Sequence, residues 1–109
     1  MQDPNQIEVP PSFIALYASP SGHRLTQPMA MVRERYELCE DLAQMLTEHA
    51  AMTETRTGAP GHQVLSTMQR ALEGDESTVQ PAEAVWVVRR LAELLGWEPP
   101  PDGASDAPG

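Results

Sequence analysis

Pro81-Ala82-Glu83-Ala84-Val85-Trp86-Val87-Val88-Arg89-Arg90-Leu91-Ala92-Glu93-Leu94-Leu95-Gly96 is the stretch that decides how this chain folds. Val85, Val88, Leu91, Ala92 and Leu95 recur at spacings of one helical face. Pro81 suits a first helical turn, and Glu83 two residues later suits the positive end of the helix dipole. Val79, just before the start, is placed to staple against Ala84 or Val85. Gly96 ends the run. Trp86, Val87 and Leu94 carry the apolar surface well past one face, leaving only Glu83, Arg89, Arg90 and Glu93 as the polar remainder. A helix that is apolar nearly all round is buried on several sides, so other elements must cover this one.

Proline and glycine show where those elements lie. Of eleven prolines, only Pro60 and Pro81 fall between Pro28 and Pro99. Helix interiors avoid proline because it lacks an amide donor and clashes with the preceding turn. Gly58, Gly61, Gly74 and Gly96 sit at apparent element ends. Three uninterrupted stretches remain: 28–57, 62–73 and 81–95.

In the first, Val32, Tyr36, Cys39, Ala43, Leu46 and Ala50 alternate at four and three residues, one helical face widened by Leu38, Leu42 and Met45. Helix is predicted over 28–52, opening at Pro28. Residues 53–60, with three Thr, a Gly and a Pro, are predicted as a loop. The second stretch puts Val64, Leu65, Met68 and Leu72 on one side and predicts a left-handed residue at Gly74. Asp75-Glu76-Ser77-Thr78 reads as a polar connector.

The expected architecture is all-α: a three-helix, bundle-like domain over 28–97, preceded by an N-terminal arm and loop at 7–27. Residues 1–6 and the acidic, proline-rich tail 98–109 are predicted to be disordered, because they have too little apolar surface to offset the entropy of ordering. In the arm, Phe13, Ile14, Leu16 and Tyr17 cluster in a run too short for periodicity to separate a strand from a helical turn capped by Ser12.

A domain of this size is marginal alone. The sequence offers two remedies. The arm residues Phe13, Ile14, Leu16 and Tyr17 can dock on the bundle, or the surplus apolar surface of the third helix can be shared between chains. Symmetric dimers are the commonest soluble oligomers, so a homodimer is a leading expectation.

Composition narrows the function classes. The chain has 109 residues, 16 acidic and 7 basic, for a formal net charge of −9, and every basic residue is Arg. That balance argues against general nucleic-acid binding and against an anionic membrane surface. No apolar run approaches the ~20 residues of a membrane span, and the N-terminus lacks a signal-peptide pattern. A soluble cytoplasmic protein is expected.

Cys39 is the single cysteine, which excludes an intramolecular disulfide and a cysteine cluster for zinc. On one helix Cys39 and His49 lie roughly 15 Å apart along the axis, too far to share a metal. Cys39 reads as a small core residue and His49 as a late-turn residue that favours the helix dipole when charged. His23 and His62 have no ligand partner at helical spacing. No metal and no cofactor are expected.

Glu37, Glu40 and Asp41 lie on the presumed polar face of the first helix, where Arg33 and Arg35 can pair with Glu37 or Glu40. Phosphate-binding and nucleophile-elbow motifs are missing. A helix-turn-helix reading of the second and third helices puts Ala82, Glu83, Ala84, Val85 and Trp86 where base-reading groups belong. Methionines fill irregular gaps in cores or serve adaptable partner surfaces. On the second reading Met29, Met31, Trp86 and Trp97 join the arm residues as interface candidates, since aromatic anchors typify hot spots.

The segments Pro10-Pro11-Ser12-Phe13-Ile14-Ala15-Leu16-Tyr17 and Arg35-Tyr36-Glu37-Leu38-Cys39-Glu40-Asp41-Leu42-Ala43 resemble a group of short proteobacterial proteins of unknown function. The resemblance extends through Trp86-Val87-Val88-Arg89-Arg90-Leu91-Ala92 to Gly96-Trp97. Some of that group carry the label "ATPase with chaperone activity". No nucleotide motif here matches the first half of that label, and the second half is compatible with a small helical adaptor.

The functional expectation is a helical protein–protein interaction module: an adaptor, accessory subunit or regulator that self-associates. The alternatives are a DNA-binding regulator using the second and third helices, and a small-molecule binding protein or enzyme with an acidic site on the first helix.

Overall fold

The computed structural model describes residues 8–22, 24–74 and 77–98. The expectations for 1–6, for the tail beyond Glu98, for His23 and for Asp75-Glu76 lie outside the described residues. Within them the chain is all-α and bundle-like. A one-turn helix α1 (Pro11–Ile14) runs into a tighter turn at Ala15–Tyr17. It is followed by α2 (Met29–Thr57), α3 (Gly61–Leu72) and α4 (Pro81–Leu95). The ambiguous arm is therefore helical. Its first turn is preceded by Pro10, whose carbonyl accepts from the Phe13 and Ile14 amides at 3.0 and 3.1 Å, and Ser12 does not cap it. The only pairing of extended backbone among the described residues is an isolated antiparallel bridge, Ala18 with Leu25.

Helix α2 does not stop at 52. It runs 29 residues, about 43 Å, to Thr57. The threonines that argue for a loop are accommodated because their hydroxyls bond back to the preceding turn. Thr53 Oγ1 donates to the His49 carbonyl and Thr57 Oγ1 to the Thr53 carbonyl, each at 2.8 Å. Gly58 then ends the helix in the left-handed region, φ 74°, with its amide on the Glu54 carbonyl at 2.8 Å. This extension removes His49 from the last turn, so the dipole role expected for it does not apply. Gly74 is not left-handed. Instead α3 closes through tight bonds from Glu73 to Gln69 and Arg70 and from Gly74 to Ala71.

Helix α4 spans the predicted residues and packs most extensively on α2, then on α3. One half of the core joins α1, α2 and the first turns of α4 around Phe13, Val32, Cys39, Ala43, Ala84, Trp86 and Val87. The other joins the far end of α2, α3 and the last turns of α4 around Ala50, Val64, Leu65, Val88, Leu91 and Ala92. Leu46 and Leu72 pack against both. Val79 and Ala84 share the first cluster, as a staple requires.

At its end α4 turns through Gly96, φ 72°, and the Trp97 amide reaches back to the Ala92 carbonyl at 2.9 Å. That turn lays the indole of Trp97 across Gly61, where a Cβ would come within 2.7 Å of Trp97 Cδ2. Gly61→Ala is therefore expected to lift Trp97 off α3, at a cost of ~1–3 kcal/mol, the range for overpacking. Thermal unfolding and tryptophan emission check this together: a lower midpoint with a red-shifted native spectrum is expected, and an unchanged pair would refute the contact.

Candidate functional site

The arm folds onto its own chain. Phe13 is fully buried and sits at the centre of an aromatic cluster. Its ring lies 5.1 Å from Trp86 at 88°, 5.7 Å from Tyr36 and 5.9 Å from Tyr17. Edge-to-face contact of this kind adds to the value of the area buried. Trp86 is 8% exposed, and its indole N–H donates to Ser12 Oγ at 2.9 Å. Ile14, Leu16 and Tyr17 are half-buried against the same cluster. The surplus apolar surface of α4 is thus covered by the arm of the same chain. Phe13 and Trp86, named as interface candidates, face inward, while Trp97 is half-buried over Gly61.

Beside this cluster lies a buried charge that sequence reading assigned to helix-dipole work alone. Glu83 is 1% exposed. Arg35 grips it with two donors, Nε to Oε2 at 2.9 Å and Nη2 to Oε1 at 2.6 Å, and also reaches the Thr78 carbonyl at 3.0 Å. The Tyr17 hydroxyl donates to Oε2, and the Gln80 amide donates to Oε1 at 2.8 Å. Burial alone would raise the pKa of this carboxyl. The Arg35, Tyr17 and Gln80 donors outweigh burial and hold it below the ordinary carboxylate value. Burial, and then Glu83 itself, push the Tyr17 phenol up to about 12. Arg35 is therefore not paired along its own helix. It ties α2 to α4 and to the arm.

Glu40 is also taken by α4. Arg90 Nε lies 2.9 Å from its Oε1, and Arg90 Nη1 bonds Glu93 at 3.0 Å. Burial opposes the Glu40 charge, but Arg90 and Gln44 hold its pKa lowered. A carboxylate kept ionised in this way is poorly suited to trade protons near neutrality. Glu37 and Asp41 stay exposed on the solvent side of α2. Arg33 Nε is buried without a hydrogen-bond partner. Between α1, α2 and α4 opens a cleft of about 480 Å³, lined by Pro10, Ser12, Tyr36, Trp86, Arg89 and Glu93, with the Glu40–Arg90 pair in its wall.

Cys39 is fully buried, and burial, then the charge of Glu83, push its thiol up to about 12, which makes it an inert core residue. His49 and His62 are exposed, on α2 and at the start of α3. Among the described residues no three His, Cys, Asp or Glu side chains form a group able to hold a metal, and no helix is long and apolar enough to cross a membrane.

Sequence reading named Met29 and Met31 as interface candidates, and both are exposed on α2; what it missed is the rest of the row on the outer side of that helix. Leu38 and Met45 do not widen the core stripe; they are 39% and 71% exposed. With Met31 at 37% and Met52 at 59% they form a row at positions 31, 38, 45 and 52, an interval of seven. Met29, at 36%, completes the exposed large hydrophobics of the described residues, and all of them belong to α2. Seven residues fall about 20° short of two full helical turns, so the row drifts slowly around the helix away from the core. The seven-residue interval was the available signal, hidden because the core face of the same helix is also apolar.

One edge of the row carries Glu34, Asp41 and Glu48, all exposed. The other carries Arg35, Leu42, His49 and Arg56. Next to its far end a groove of about 300 Å³ runs between α2 and α3, past His49, Thr53, Gln63 and Met68. No protein-family model, no curated protein and no solved structure matches this chain.

Proposed function

We propose that this chain is a helical protein–protein interaction module, an adaptor, accessory subunit or regulator, that docks through the outer face of α2. The row Met31, Leu38, Met45 and Met52 carries this reading. Methionine and leucine left 37–71% exposed on a helix cost solubility, whereas aligned at one interval they suit another helix. Methionine is the side chain best able to adapt to a partner surface. The arm has already covered α4, so α2 is where apolar surface is left over.

The double variant Met45→Glu/Met52→Glu tests the reading. Both positions are exposed, so each change is expected to move stability by no more than ~0.5 kcal/mol. Nuclease-treated lysate of the source cells is passed over the wild type and over the variant. A stoichiometric protein, a second copy of the chain included, retained by the wild type and lost from the variant while the variant keeps its helical circular dichroism supports the reading. Identical sets of retained proteins, with wild type and variant both monomeric in sedimentation, overturn it.

A further inference from the structure

Resting on that reading of the α2 face, we infer that its occupant is a second copy of this chain, with the two α2 helices side by side and parallel. A repeat of seven is the interval at which two helices keep a seam in contact by winding gently around each other. In a parallel two-fold pair each row residue meets its own counterpart: Met31 on Met31, Leu38 on Leu38, Met45 on Met45, Met52 on Met52.

The charges beside the row choose the direction. A parallel two-fold sets the acidic edge of one copy, Glu34, Asp41 and Glu48, against the edge of the other that carries Leu42, His49 and Arg56. The acidic edges then lie on opposite sides of the seam. An antiparallel two-fold sets the acidic edges against each other, with Glu34 level with Glu48 of the second copy and Asp41 level with its own counterpart. Three like-charge pairs along one edge oppose that arrangement. Two copies at −9 each also repel at long range, but physiological salt confines that repulsion to about 8 Å.

Single-cysteine substitutions in the full-length chain at physiological ionic strength separate the outcomes. Cys39 stays in place, since its buried thiol remains protonated and unreactive. Met45→Cys and Met52→Cys are treated with a short bis-maleimide, with Ala71→Cys on the exposed side of α3 as the control for collision. Each row variant is expected to couple to itself at least about tenfold faster than the control, as pairing raises the effective concentration. Sedimentation should show a dimer for the wild type and a monomer for Met45→Glu/Met52→Glu.

Two results overturn the inference. One is coupling of Leu38→Cys to Met45→Cys in a mixture while Met45→Cys alone stays uncoupled, which means antiparallel pairing. The other is a monomer at the highest soluble concentration. In the second case a different protein retained through the α2 face would leave the proposed function standing and identify the occupant as another chain.

Discussion

Arg35→Met is expected to cost about 3 kcal/mol, because breaking a buried ion pair leaves one charge uncompensated. Arg35 is itself a quarter exposed, whereas Glu83 is 1% exposed, so the penalty falls on the carboxylate left behind. Only the Tyr17 hydroxyl and the Gln80 amide would then remain on it. A domain of this size has roughly 0.05–0.15 kcal/mol of stability per residue, so such a loss is a large share of the whole. The double variant Arg35→Met/Glu83→Leu should regain most of it, since an apolar side chain in that place needs no countercharge.

The pH dependence changes sign between the two proteins. In the wild type the Glu83 carboxyl is held below its ordinary value, near 4.3 for an unfolded chain. It therefore contributes stability that is fully present above that pH and is lost as pH falls toward the folded value. Without Arg35, burial dominates and raises the folded pKa above the unfolded one. Stability is then present below the unfolded value and is lost as pH rises through the folded one. Urea unfolding between about pH 3 and pH 7 should show the two curves converge on acidification. A loss under about 1 kcal/mol at neutral pH, with parallel curves, would rule out the buried pair as a structural tie.

Phe13→Ala is the second large effect. Removing a fully buried aromatic side chain typically costs about 3–5 kcal/mol, and this ring also anchors edge contacts to Trp86 and Tyr36 and a tilted contact to Tyr17. Each kcal/mol lowers the midpoint of a domain this small by roughly 4–8 °C, so a fall of tens of degrees is expected. Because the arm packs on its own chain, this loss should not depend on protein concentration. Near-ultraviolet circular dichroism with thermal melts at two concentrations measures both points. A wild-type-like midpoint, or a loss that disappears on concentration, would mean the arm does not close this core in cis.

Much of the fold was legible because helix punctuation is local chemistry. Pro81 and Gly96 bracket α4 for reasons confined to their own backbones, and the spacing of Val32, Cys39, Ala43 and Ala50 marks a core face without reference to any partner. The end of α2 was misjudged at a point where two local effects compete. Threonine disfavours helix on average, but its hydroxyl can satisfy the preceding carbonyls, and a Gly58 cap five residues beyond Thr53 completes the turn.

What no local pattern contains is the partner that lies on another helix. Arg35 has carboxylates two and five residues away on its own helix, but those intervals do not bring side chains onto one face, and it binds Glu83, 48 residues distant, where α4 packs across α2. Leu38 and Met45 look like core from their spacing, but α2 turns the face of Val32, Cys39, Ala43 and Ala50 to α3, α4 and Phe13, which leaves Leu38 and Met45 on the side toward water. Helical period and capping are properties of a dozen neighbouring residues. Which of several apolar faces is covered, and which charge is drawn inside, depends on how four helices divide a small volume, and that is settled only when they pack.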